Sequence, residues 1–313
     1  MAREKIIIDT DPGQDDAVAM MLAFASPEEI EVLGVTAVAG NAPLAHTEIN
    51  ARKICELSGR PDVKVFAGCD RPLFLDLHTA PEVHGDTGLD GPDLPPPTMP
   101  LQDRHAVDFI IETLRTEPAG TVTLCPLGPL TNIATALTRA PDIAARIKRI
   151  VLMGGAQFEG GNNSPVAEFN IFVDPHAAQI VLKSGVDIVM FPMDVTHQVL
   201  TTQARMDRVR AIPGPVGRVT YEMLDFYRQY DEAKYGTDGG PLHDPCVIAW
   251  LIRPDLFQGK QVNVEVETAS PLTIGQTVVD RWCITTRPRN VFYMLKADAE
   301  GFFDLLIERL ARL

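Results

Sequence analysis

The sequence predicts an α/β protein: a single domain over residues 1–313 with a mostly parallel, Rossmann-like central sheet, helices on both faces and a C-terminal helical insertion. Three observations carry this expectation. Strand-like and helix-like segments alternate through most of the chain, the pattern of βαβ units. Polar or glycine-rich residues follow the strand-like runs, at Asp9–Asp16, Gly40-Asn41, Pro126–Asn132 and Gly154–Asn170. They would gather along one edge of such a sheet, where α/β proteins bind ligands. Finally, no internal repeat and no linker divides the chain.

Lys5–Asp9 is a short β-rich run, and Asp15–Ala25 carries Ala17, Val18, Met21 and Leu22 at helical spacing. Ile30–Ala39 reads as a buried strand closed by Gly40-Asn41, Pro43–Ser58 as a helix and Val63–Phe66 as a third strand. Helix 103–116, strand 121–125, helix 129–139, strand 148–153, helix 174–184 and strand 186–191 continue the alternation. Residues 68–100 break it with a loop-like stretch holding Pro92, Pro95, Pro96 and Pro97. Beyond residue 198 come two or three helices, β-like runs at 261–267 and 291–296, and a closing helix from Asp298.

Composition narrows the function. A net charge of -14 argues against a nucleic-acid polymer as partner, because phosphate backbones need stripes of Lys and Arg. A small neutral or cationic ligand suits the acidic balance. No apolar stretch approaches the length of a membrane span, and Met-Ala-Arg-Glu-Lys enters the first strand without a signal-like segment. The five cysteines are scattered and form no C-x-x-C pair, which favours reduced thiols and a cytoplasmic location.

Four aspartates crowd into eight residues at the end of the first strand: Asp9, Asp11, Asp15 and Asp16. Helix capping accounts for one or two of them. So much negative charge beside an apolar run calls for a counter-charge, and a hard divalent cation with oxygen ligands is the natural one. Two chemistries are compatible. An Asp-x-Asp after a strand suits a Mg²⁺-dependent phosphatase of the haloacid dehalogenase type, but no late acidic pair for Mg²⁺ is evident. Alternatively, the carboxylates hold Ca²⁺ together with water and the vicinal hydroxyls of a ribose.

The polar loop after Met153-Gly154-Gly155 favours the second chemistry, since Asn162, Glu168 and Asn170 can donate to and accept from sugar hydroxyls. His243-Asp244, opening an apolar helical run, supplies a candidate general acid and a further carboxylate.

Ile7 to Ala17 resembles the N-terminal signature of the inosine-uridine nucleoside hydrolase family. The resemblance continues, in the family's order, through Gly40-Asn41, His84-Gly85, Gly128 to Asn132, Met153 to Gly155, Ala167 to Asn170 and His243 to Pro245. It implies that Asp11, Asp16, Asp244 and the backbone carbonyl of Leu127 bind calcium. It further implies that Asp15, Asn162, Glu168 and Asn170 hold ribose hydroxyls, that Met153 and Phe169 pack near the ribose, and that Asn41 and His84 lie towards the base. The implied reaction hydrolyses the N-glycosidic bond of a free ribonucleoside in nucleoside salvage, with an oxocarbenium-like transition state. Asp11 would take the proton of the attacking water, and His243 would assist the leaving base.

At the base end, Tyr235 resembles a base-contacting tyrosine of pyrimidine-preferring members, whereas Asp231 stands where a Gln is expected. His84 and His243 point to the inosine-uridine and pyrimidine branches. Tyr227 and Phe226 read as core residues of a helix, and His197 as structural or supporting. A homotetramer or dimer is implied by the resemblance. A non-catalytic nucleoside binder is the competing reading from outside enzymology.

Overall fold

The computed structural model describes residues 3–313. In chain order its elements begin with β1 (Glu4–Thr10), α1 (Gln14–Phe24), β2 (Ile30–Ala37), α2 (Leu44–Leu57) and β3 (Val65–Ala67). Next come α3 (Pro81–His84), β4 (Leu101–Gln102), α4 (Ala106–Thr116), β5 (Val122–Pro126), α5 (Thr131–Arg139) and β6 (Ile147–Met153). The chain continues through α6 (Phe169–Val173), α7 (Pro175–Leu182), β7 (Ile188–Phe191), α8 (Met193–Thr196), α9 (Gln203–Arg210) and α10 (Gly214–Tyr235). It closes with α11 (Pro245–Ile252), β8 (Phe257–Val266), β9 (Thr277–Asp280), β10 (Val291–Ala297) and α12 (Ala299–Leu310).

All ten strands join one sheet in the order β4-β3-β2-β1-β5-β6-β7-β10-β8-β9. Pairing is parallel from β4 to β10, and antiparallel only where β8 meets β10 and β9. The expected mostly parallel α/β sheet is therefore present. Alternation along β1 sends Ile6 and Ile8 to one face and Ile7 to the other, the period of two that a doubly covered sheet requires. On the first face they meet α1, α2 and α9–α12. On the second they meet α4, α5 and α7.

Several elements depart from the sequence reading for local reasons. Residues 103 and 104 bend ahead of the helix, and the extended His105 caps α4 by accepting from the Val107 N–H. The loop-like stretch holds one short helix, α3, started by Pro81 at a position where the missing N–H costs nothing. Strand β8 begins four residues early, because Gln258, Lys260 and Gln261 are exposed and give no apolar signal. Strand β9 was not anticipated at all. It is short, and its Val278 faces solvent.

Sheet order positions the site. Chain order runs outward in one direction from β1 to β4 and in the other from β5, so the switch point lies between β1 and β5. The Asp11 loop leaves β1 there, next to the Leu127–Gly128 turn after β5, and the Leu127 N–H donates to the Asp9 carbonyl at 2.7 Å. The C-terminal helices close over the same edge. Helices α10 and α11 both pack on α1, every residue of which is buried.

Candidate active site

The aspartates are placed by the β1–α1 junction. Asp9 is still part of β1, and its Oδ1 accepts from Thr36 Oγ1 (2.6 Å) and Asn132 Nδ2 (2.8 Å), tying β1 to β2 and α5. Burial pushes its carboxyl up to about 7. Asp11 lies between Gly40 and Gly128, where any Cβ would overlap its carboxylate. Its Oδ2 accepts from the Asn41 N–H at 2.7 Å, whereas its Oδ1 is buried without a partner. Asp16 accepts from Thr10 Oγ1, the Gly13 N–H (3.0 Å) and Asn41 Nδ2 (3.1 Å).

Asp244 arrives from across the fold. Pro245 starts α11, and the Asp244 side chain makes no capping bond, so it is free to turn towards the strand-end aspartates. Carboxylate oxygens of Asp15, Asp16 and Asp244 lie within 4.8 Å of one another. Burial, followed by repulsion from neighbouring aspartates, drives Asp11 and Asp244 well above the ordinary carboxylate range and Asp15 to about 8. A packed set of hard oxygen donors with an orphaned Asp11 oxygen fits a divalent cation. The Leu127 carbonyl faces the same cleft and accepts from Asn170 Nδ2 at 2.6 Å, which leaves its second lone pair available.

These groups line one cleft of about 660 Å³. Asp15, Asn41, His84, Leu127, Met153, Asn162, Glu168, Phe169, Asn170, His243 and Asp244 all contribute to its wall, while Asp11 and Asp16 stand directly behind. Glu168 caps α6. It accepts from the N–H groups of Gly155 (2.8 Å), Asn170 (2.9 Å) and Ile171 (3.3 Å), so its carboxylate is fixed by backbone. Asn162 Oδ1 accepts from the Phe169 N–H, bracing the same loop. Asn41 does more than face the cleft: its main chain and amide hold Asp11 and Asp16.

The two cleft histidines adopt opposite tautomers. Gln14 Nε2 donates to the carbonyls of His84 and Asp90, so Gln14 Oε1 must accept from His84 Nδ1–H at 2.7 Å. His84 Nε2 is thereby an acceptor, and burial lowers the ring to about 3, keeping it neutral. For His243, the buried Thr196 hydroxyl finds its one acceptor in Nδ1 at 2.6 Å, leaving the proton on Nε2. Burial, with His197 and His84 adding to it, holds His243 well below its ordinary value. Gln14 and Thr196 escape sequence reading because an uncharged partner leaves no motif.

Tyr235 does not line this cleft. It is 43% exposed and borders a neighbouring groove with Glu159, Asp194 and His197. Eight residues along α10 from Tyr227 carry it roughly 12 Å up the axis and about 80° around it. Tyr227, Tyr230 and Asp231, at spacings of three and four, share one helix face and line the cleft instead. Tyr227 is buried, as expected of a core residue, yet its ring also stacks on His84 with centroids 5.7 Å apart. Asp231, which stands where the resemblance leads one to expect a Gln, thus reaches the cleft while Tyr235 does not. His197 contacts Glu159 at 3.2 Å, its ring 5.6 Å from that of His243. Neither tryptophan reaches the cleft.

Residues 6–304 match the family model of the inosine-uridine preferring nucleoside hydrolases. The chain belongs to this family. A pyrimidine-specific ribonucleoside hydrolase of Shewanella sp. (strain MR-7) is 49% identical over 98% of this chain and 96% of its own. The uncharacterized protein C1683.06c of Schizosaccharomyces pombe is 54% identical over 99% of both chains. A solved purine-preferring ribonucleoside hydrolase from Gardnerella vaginalis superposes with a TM-score of 0.91 at 33% identity, covering 98% of each chain. This nucleoside hydrolase is accordingly an N-glycosidase-type enzyme, and the phosphatase alternative is displaced. None of its helices is long and apolar enough, among the described residues, to cross a membrane.

Proposed function

We propose that the protein is a Ca²⁺-dependent N-ribohydrolase that splits free ribonucleosides, pyrimidine nucleosides or inosine, into ribose and base. The observation that carries this reading is the convergence of Asp15 and Asp244, with Asp16 behind them, beside the fixed Glu168 and Asn170 of one cleft. When bound among these carboxylates and the Leu127 carbonyl, Ca²⁺ would supply a Lewis-acidic anchor for hydroxyl groups and water. Salvage or catabolism of nucleosides, a cytoplasmic location and a homodimer or homotetramer complete the reading.

Asp11 is the group to accept a proton from the attacking water, its Oδ1 being the oxygen left without a donor. Asp15, Asn162, Glu168 and Asn170 hold the ribose. The carboxylates of Asp15 and Glu168 favour positive charge as it develops on the sugar ring. Backbone donors keep Glu168 from swinging away as that charge forms. Met153 and Phe169 present apolar surface beside the ribose and exclude water.

His243 meets the substrate as a neutral ring with its proton on Nε2. Its help to the leaving base is thus a hydrogen bond donated by Nε2–H, which strengthens as negative charge develops on the base, while the Thr196 hydroxyl donates to Nδ1. Incubation with uridine, cytidine and inosine, assayed for reducing sugar and free base, tests the reading. Equal amounts of ribose and base are expected. Nucleoside binding without either product would show a non-catalytic binder.

A further inference from the structure

One buried ionisable group in the cleft has no part in this chemistry. Asp231 lines the base end and also borders the groove beside Tyr235, is 8% exposed, and receives no hydrogen bond and no ion pair from any described residue. Lys234 lowers this carboxyl by its charge, but its own hydrogen bonds go to Tyr230 Oη at 2.6 Å and the Asn162 carbonyl at 3.3 Å. The Asp231 oxygens are not sealed from solvent, so the carboxylate can accept from a ligand that enters the cleft. Although burial pushes this carboxyl up to about 6, it remains ionised at pH 8, able to accept and unable to donate.

The surroundings repeat the same polarity. His84 Nε2, across the cleft on the ring that stacks against Tyr227, is also an acceptor because Gln14 fixes its tautomer. Bases differ in what they offer such a wall. Cytosine and adenine present an exocyclic amino donor where uracil and hypoxanthine present a carbonyl, and a carboxylate accepts from the amino group of cytosine. The one donor of uracil, N3–H, lies between two carbonyls, so a carboxylate that reaches it also meets an oxygen.

We propose that Asp231 is a specificity-determining residue that makes this enzyme select nucleosides whose base carries an amino group, cytidine above uridine and adenosine above inosine. The proposal rests on the nucleoside hydrolase reading of the cleft and deepens it by naming the substrate class. A site built around hydrogen bonds discriminates strongly against a ligand that leaves its buried group unpaired. Removing the charge while keeping the shape should therefore change the ranking of substrates rather than only the rate.

The experiment compares kcat/KM for cytidine and uridine at pH 8, with Ca²⁺ present, in the wild-type protein and in Asp231→Asn. The variant is isosteric, and effects on the ribose end cancel in the ratio. The wild-type protein is expected to favour cytidine by about ten-fold or more, and Asp231→Asn to bring the two substrates within about three-fold or invert them. An unchanged ratio in the variant, or a wild-type preference for uridine, overturns the assignment. In parallel, equilibrium binding of free cytosine and uracil to both proteins should show the same swing. Failure to hydrolyse any nucleoside would count against the hydrolase reading, and the binding contrast would still decide the role of Asp231.

Discussion

The two ends of the cleft are built on different principles. The metal and ribose end hangs from strand ends at the switch point of the sheet, and its groups are held redundantly: Asp16 by three donors, Glu168 by three backbone N–H groups, Asn41 by contacts to two aspartates. The base end is made by one face of α10 and the short helix α3, and Asp231 there is held by nothing. A rigid end fixed by the sheet suits a reaction common to all substrates. A helix face can change one side chain without disturbing the sheet, which suits selectivity.

If the division holds, damage at the sheet edge should be indifferent to the base. Asp11→Asn should lower kcat by roughly 10³–10⁴-fold on cytidine, uridine and inosine alike, as steady-state kinetics would show. A loss confined to one nucleoside would break the comparison. His243→Ala, at the boundary between the ends, should cost about 10²–10³-fold. Full activity on both inosine and uridine in that variant would remove His243 from the reaction.

The smallest effect sharpens the contrast from the other end. In the folded protein Asp231 titrates near 6, above its ordinary value of 3.8, so between those pH values the folded state holds a proton that the unfolded state has released. Stability contributed by this residue therefore falls as pH rises from about 4 to 6 and stays reduced above that. Asp231→Asn should be more stable than the wild-type protein by on the order of 1–3 kcal/mol at pH 8 and scarcely different at pH 4, as judged by urea unfolding. Equal stability at pH 8 would mean that the charge is already compensated in the free protein.

How far the sequence was readable follows the same line. The strand-end residues Asp11, Asp15, Asp16 and Asn41 were legible because apolar runs end abruptly in polar ones, and that punctuation survives without coordinates. Glu168, Asn170 and Asp244 were legible from local chemistry and the resemblance, and the fold brings them to the same cleft. At the base end, Tyr235 is named by resemblance to a base-contacting tyrosine, and the turn of α10 carries it to the neighbouring groove. Gln14 and Thr196, which set the histidine tautomers, act through contacts 70 and 47 residues away in sequence, and no local pattern encodes these. Strands β4 and β9 were too short or too polar to announce themselves.

Cleavage of the glycosidic bond should depend on a divalent cation held by the buried strand-end carboxylates. Ribose release from cytidine, followed after exhaustive chelation and then through a Ca²⁺ titration, tests it most directly. Activity should vanish on chelation and return with Ca²⁺ in the wild-type protein, and should not return in Asp244→Ala. Undiminished ribose release from the chelated protein would contradict the account.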